Sequence, residues 1–314
     1  MRPMKVIVDQ HVGDCLDYRT LIEALRSGFA RQSSHPIHMR AETGVDTDSK
    51  VLLVKAAWDR DVTVVKTQTL NRSNKQSGLP YIQGLIAIFD KASGTPLAIV
   101  DAKEITNRRT AAASALAADY LAVPNAEVMT LIGTGALAPH MALAHIETRP
   151  IRRINVFGRS PDKAEMTAGT ISRLVPAIEV RAVRELPDAV READIVTTAT
   201  SSKAPVLHGA WISDGTHIDL VGAFAPDTRE ADDEAIARAR VFVDDRNTTP
   251  TEAGDIVLPI ASGTITAKDI VGDLEELCSC RVAGRTTDKE VTVFKSVGTA
   301  LEDLIAARLL IGLG

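Results

Sequence analysis

Residues 128–138, Val-Met-Thr-Leu-Ile-Gly-Thr-Gly-Ala-Leu-Ala, constrain the fold more than any other stretch of the chain. A short apolar run rich in β-branched side chains leads straight into Gly-x-Gly-x-x-Ala, and a helical pattern follows to about residue 147. In that strand–turn–helix setting the motif predicts a dinucleotide-binding turn. Gly133 permits the tight turn, Gly135 lets a pyrophosphate approach the backbone, and Ala138 is small enough for helix and strand to pack closely. Thr134, Ala136 and Leu137 complete the turn, whose helix end offers unpaired N–H groups to phosphate oxygens.

The chain after residue 126 alternates in a way that suits this reading. Apolar strand patterns recur at 128–132, 154–157, 180–183, 195–200, 218–223 and 241–244, with helical patterns at 163–174 and 186–193 between them. That order predicts a doubly wound parallel Rossmann sheet. The second strand ends in Gly158-Arg159-Ser160, where an acidic residue would bind the ribose 2′-hydroxyl of NAD. Arg159 and Ser160 instead suit a 2′-phosphate, so NADP is the expected cofactor and NAD the alternative. The competing reading of Arg159 is a solvated loop arginine. Thr200, at the end of the fourth strand, is a further cofactor candidate.

The first part of the chain follows another rule. Residues 6–10 read as a short strand, and 18–31 as an amphipathic helix with Leu21, Ile22, Leu25 and Phe29 at helical spacing. Strands are expected at 51–54, 62–65, 83–89 and 97–100, with a polar hairpin turn at 90–95. An alanine-rich helix is expected over 106–121, and a closing helix over 299–310. This predicts an α+β unit beside the Rossmann domain.

Four cationic positions stand out in or near the apolar segments of the first part: Arg40, Lys55, Lys66 and Arg109. Converging, they would bind a carboxylate; taken singly, each reads as a surface salt-bridge partner. The net charge of −5 gives no case for nucleic-acid binding, and no apolar window has the length of a membrane span. The N-terminal residues lack a signal-peptide core, and the three cysteines give no disulfide framework, so a cytoplasmic protein is expected. His11, His35, His38, His140, His145, His208 and His217 show no metal-ligand spacing, and no metal is expected.

Several motifs together carry a family resemblance. They are Gly78-Leu79-Pro80, the stretch 90–96, Arg109-Thr110-Ala111-Ala112, Gly133 to Ala138, the stretch 194–200, Val221-Gly222-Ala223 with Pro226 and Glu230, the stretch 252–255, and Ser296-Val297-Gly298 with Glu302-Asp303. The chain thereby resembles the ornithine cyclodeaminase/μ-crystallin family along nearly its whole length. The resemblance implies a Rossmann NAD(P) domain at 121–290. It also implies a substrate-binding and homodimerisation domain from residues 1–120 plus 291–314. It puts Arg40, Lys66 and Arg109 on the substrate carboxylate, and Thr110 and Ser296 beside the cofactor. Leu53, Lys55, Tyr81, Phe224, Val297 and Gly298 then fall around the substrate.

Departures from the family pattern refine the implied activity. Ornithine cyclodeaminases of the family carry an Asp where this chain has Phe224, a Glu where it has Leu53, and a small Thr where it has Tyr81. The Phe224 form is more like members that reduce cyclic ketimines such as Δ1-pyrroline-2-carboxylate. Lys55 replaces a usually apolar residue and would suit a substrate with a second acidic group; the other reading is a lysine projecting from a sheet edge. A small imino acid is thus the expected partner. Ornithine cyclodeamination, an alanine-dehydrogenase-like activity and a ligand-binding role are the alternatives.

Overall fold

A computed structural model describes residues 4–31, 36–44 and 50–313; His35 lies outside them. The chain runs β1 (Lys5–Ile7), α1 (Asp9–Cys15), α2 (Tyr18–Ala30), β2 (Ile37–Glu42), β3 (Lys50–Trp58), β4 (Val62–Asn71), β5 (Ile82–Asp90), β6 (Pro96–Asp101) and α3 (Ala102–Leu121). It continues with β7 (Val128–Ile132), α4 (Leu137–His145), β8 (Arg153–Phe157), α5 (Pro161–Leu174), β9 (Glu179–Ala182), α6 (Leu186–Arg191), β10 (Ile195–Thr198) and β11 (His217–Leu220). Then come α7 (Asp233–Ala237), β12 (Ala239–Val243), α8 (Thr249–Glu252), α9 (Gly254–Ala261), β13 (Ile270–Asp273), α10 (Leu274–Cys278), β14 (Val291–Lys295) and α11 (Ala300–Leu310).

The chain divides into two units, one of Met1–Thr110 with Gly298–Gly314 and one of Ala111–Val297. The first holds a six-stranded sheet in the order β1-β6-β5-β4-β3-β2, antiparallel except for the parallel β1–β6 pair. Strands β3 and β4 alternate strictly between buried and half-exposed residues, as a sheet covered on one face does. α11 packs on β3, β4 and α2. Leu21, Ile22, Leu25 and Phe29 of α2 and Leu304 of α11 are buried there, each worth about 1.5–3 kcal/mol relative to exposure. α2 starts where Asp17 accepts a hydrogen bond from Thr20 N at 2.9 Å. α11 starts with a capping box in which Thr299 and Glu302 satisfy each other's backbone N–H groups.

The second unit holds an eight-stranded, wholly parallel sheet in the order β13-β12-β14-β11-β10-β7-β8-β9. The order from β7 runs outward both ways, to β8 and β9 on one side and to β10 and β11 on the other, so the switch point lies between β7 and β10. Open parallel sheets bind ligands beyond the strand ends at that point.

Three expectations need correction. The first strand covers only Lys5–Ile7, and Asp9–Cys15 is helical. β13 and β14 were not expected, and β14 inserts between β11 and β12. The division therefore falls after Thr110 and after Val297, not at 120/121 and 290/291. Every residue of Val291–Lys295 is buried inside the parallel sheet.

Candidate functional site

In the first unit, strand register settles which side chains share a face. Arg40 lies opposite Leu53, His38 opposite Lys55, and Lys55 opposite Lys66. Arg40, Leu53, Lys55, Lys66 and Gln68 therefore project from one face, the face that β3 and β4 bury. Lys55 is 5% exposed on an interior strand, so the reading as a lysine projecting from a sheet edge is wrong. Lys66 is 1% exposed, and Arg40, on the edge strand β2, is half-buried. Tyr81 is half-buried just before β5.

Among the described residues, two carboxylates meet Lys66 and Arg109. Asp303 Oδ1 accepts from Lys66 Nζ at 3.0 Å and from Arg109 Nε at 3.0 Å. Glu302 Oε2 accepts from Arg109 Nη1 at 2.6 Å. Lys55 Nζ donates to Gly298 O at 2.5 Å. Gly298 has φ +77°, and a Cβ there would overlap the Arg109 guanidinium, so only glycine suits both the backbone and the arginine. Burial pushes Lys66 down to about 7 against the pull of Asp303, with the charges of Arg109 and Lys55 lowering it further. Asp303 is held below the usual carboxylate range: burial opposes this, but Lys66, Arg109 and Lys55 outweigh it. Glu302 and Asp303 belong to the motif that follows Ser296, and the sequence reading does not place them in the site. The signal was two adjacent acids in an otherwise apolar helix, Ala-Leu-Glu-Asp-Leu-Ile.

The second unit builds the turn after β7. Gly133 has φ +135°, its N–H donates to Phe157 O at 2.9 Å, and a Cβ there would come within 2.5 Å of Ala199 O. Around Gly135 a Cβ would meet nothing within 4 Å, and Ala138 is fully buried. Ala136 begins α4 without a side-chain cap, and Ala138 N–H donates back to Gly135 O at 3.0 Å. This open cradle at the switch point fits the pyrophosphate of a dinucleotide. Arg159 is exposed beyond β8, while the Ser160 hydroxyl caps α5 by accepting from Lys163 N at 3.4 Å.

Carboxylates fasten the neighbouring strand ends. Glu230 accepts from Thr200 N at 2.6 Å, Thr200 Oγ1 at 2.8 Å and Gly222 N at 2.6 Å. Asp255 accepts from Glu230 N at 2.7 Å and pairs with the buried Lys295 at 3.0 Å. Asp244 accepts from Ser296 Oγ at 3.1 Å and Val297 N at 2.7 Å. Thr200 and Ser296, expected at the cofactor, thus spend their hydroxyls on Glu230 and Asp244. Phe224 is half-buried past the β11 end. Deeper in, burial raises Asp219 to about 7 and lowers His145 to about 4; His145 Nε2 lies 3.7 Å from Asp219 Oδ2. Among the described residues no cluster of three or more metal-ligating side chains occurs, and no helix is long and apolar enough to cross a membrane.

Comparison with known proteins adds to this geometry. The chain is 38% identical over 296 residues to a Δ1-pyrroline-2-carboxylate reductase of Paracoccus denitrificans, covering 93% of this chain and 91% of the relative. A Δ1-pyrroline-2-carboxylate reductase of Colwellia psychrerythraea is 36% identical over 309 residues, covering 97% of each. The structure superposes with a TM-score of 0.93 on the Thermococcus litoralis Δ1-pyrroline-2-carboxylate reductase solved with NADH and L-proline, at 30% identity, covering 98% of this chain and 96% of that one. The family model for the ornithine cyclodeaminase/mu-crystallin family matches residues 4–311, and the chain belongs to that family.

Proposed function

We propose that the protein is an NAD(P)H-dependent reductase that converts a cyclic 2-imino acid of the Δ1-pyrroline-2-carboxylate type to the corresponding amino acid. The observation that carries this reading is the buried set of Lys55, Lys66 and Arg109 held around Glu302 and Asp303. The names of the Paracoccus and Colwellia relatives support it.

The reaction adds a hydride to the imine carbon and a proton to the imine nitrogen, breaking the C=N π bond. Reduced nicotinamide supplies the hydride when bound. Arg109 binds the substrate carboxylate through the planar fork of its guanidinium, with Arg40 as a second cation. Lys66 polarises the imine and gives its nitrogen the proton, which burial makes easy to release near neutral pH. Asp303 orients Lys66 and Arg109 together through one oxygen. In the second unit the backbone of Gly133–Ala138 holds the pyrophosphate, and Arg159 reads a 2′-phosphate, so NADPH is preferred over NADH. Phe224 and Leu53 put apolar side chains where ornithine cyclodeaminases of the family carry acids.

The protein acts as a homodimer in this reading. Val6, Ile37, Met39 and Leu85 are all exposed, and register puts them on the face of the six-stranded sheet opposite Lys66. Light scattering on purified protein tests that point.

The activity is tested by following NADPH and NADH oxidation with Δ1-pyrroline-2-carboxylate, beside ammonia release from ornithine with NAD. Net oxidation of the reduced cofactor is expected. Ammonia release without net cofactor change would replace the reductase by a cyclodeaminase.

A further inference from the structure

The register between β10 and β11 ends at Thr198 and Leu220, and one more bond follows, from Val221 N to Thr198 O at 3.0 Å. Backbone N–H groups past a strand end need another acceptor. Here they converge on one fully buried side chain, Glu230. Its Oε1 accepts from Thr200 N at 2.6 Å and Thr200 Oγ1 at 2.8 Å, and its Oε2 accepts from Gly222 N at 2.6 Å and Ala223 N at 3.2 Å. One carboxylate thus ties the end of β10 to the end of β11. A Cβ on Gly222 would overlap the Thr200 carbonyl oxygen, so the two ends lie closer than any larger residue allows.

The clasp is itself held in place. Asp255 Oδ1 accepts from Glu230 N at 2.7 Å and Ala231 N at 3.0 Å, and Asp255 Oδ2 lies 3.0 Å from Lys295 Nζ. Gly254 N donates to Ala225 O at 3.2 Å, which fixes the segment after β11 to the start of α9. As a mere fastener a buried ionisable group is costly, because apolar groups of similar volume often stabilise a core as well or better. What a carboxylate adds is direction: each oxygen fixes two donors.

Position decides what this rigidity serves. A doubly wound sheet takes one half of a dinucleotide on each side of its switch point. The turn after β7 suits the pyrophosphate, and β8 with Arg159 lies on the adenosine side, so β10 and β11 lie on the nicotinamide side. We propose that Glu230 is a positioning residue for the nicotinamide: by clasping Thr200 to Gly222 and Ala223 it fixes the seat that aims the ring. The proposal rests on the reductase reading, in which hydride transfer needs the ring held; a misplacement of about 1 Å can cost roughly a hundredfold in rate.

The test compares NADPH and NADH with ADP-ribose 2′-phosphate and ADP-ribose, the same molecules without nicotinamide. Glu230→Gln keeps the size but turns one acceptor oxygen into an NH2 group. Its calorimetric Kd for the two fragments should stay within about twofold of wild type, while the reduced cofactors should bind about tenfold more weakly. The fluorescence anisotropy of the bound dihydronicotinamide should fall. Thr200→Val removes one of the four bonds and should move both readouts the same way by less; Thr200→Ser should restore them. Should Glu230→Gln not fold, the Thr200 pair makes the same comparison. Equal weakening of fragments and whole cofactors would make Glu230 a support of the whole domain and overturn the proposal, as would unchanged affinity and anisotropy. If the variants behave as expected but the wild-type protein reduces no cyclic imino acid, the reductase reading fails while the positioning role stands.

Discussion

Removing Asp303 and removing Lys66 should have very unequal effects, although the two residues form one ion pair. Among the described residues, the wild-type cluster buries three cations, Lys55, Lys66 and Arg109, with the carboxylates of Glu302 and Asp303. Lys66→Met leaves two against two, and Asp303 keeps Arg109 Nε at 3.0 Å. Asp303→Asn leaves three cations against one carboxylate. Stripping the counter-charge from a buried pair costs about 3–5 kcal/mol, whereas replacing a buried ion by an apolar group of similar volume is often close to neutral. The expected order of stability at pH 7 is therefore Lys66→Met close to wild type and Asp303→Asn about 3–5 kcal/mol below it. The double variant should recover roughly 2 kcal/mol or more over Asp303→Asn. Trp58 reports on this unit, and in a Trp211→Phe background it is the sole tryptophan of the chain. Urea unfolding followed by its fluorescence gives all four corners of the cycle. The kinetics carry a second sign. Asp303 raises the Lys66 pKa, so its loss should move the descending basic limb of kcat/KM to lower pH. An Asp303→Asn protein no less stable than Lys66→Met, or strict additivity in the cycle, would falsify this account of the cluster.

Other substitutions test separate parts of the molecule. Gly298→Ala puts a Cβ against Arg109 at φ +77°, and should raise KM for the imino acid and cost about 1–2 kcal/mol in stability, read by steady-state kinetics and urea denaturation. Asp219 has a folded pKa raised by burial to about 7 from 3.8, so the folded state holds the extra proton between these values and stability falls as pH rises through that window. Asp219→Asn should flatten that dependence and stabilise the protein at pH 8 by up to about 4 kcal/mol; a slope unchanged from pH 4 to 7 refutes the assignment. Arg159→Asp should raise KM for NADPH and shift preference toward NADH, and an unaltered ratio of kcat/KM for the two cofactors counts against Arg159 as a phosphate reader.

Legibility in the sequence tracked sequence distance. β7 and its turn were readable because strand, glycines and helix follow one another within eleven residues, and each residue type has a local steric reason. The amphipathic α2 was readable from its own periodicity. β14 was not, because nothing local in Val-Thr-Val-Phe-Lys says that it will insert between strands formed earlier in the chain. The cations of the first unit were picked out as charges in apolar surroundings. Their state was hidden: Arg109 meets Asp303 across 194 residues, and no pattern in either segment announces the other. Likewise Thr200 and Ser296 look like free hydroxyls in the sequence, and only the folded strand ends show that Glu230 and Asp244 hold them.

The shared oxygen of Asp303 has a consequence for traffic through the site. Lys66 and Arg109 are never bare, because the protein carries a resident carboxylate that mimics the group an incoming acid would present. An arriving molecule therefore gains only the difference between its own contacts and those already in place. A product leaving the pocket surrenders its hold to a stand-in that is already tethered, which favours quick exchange over tight retention.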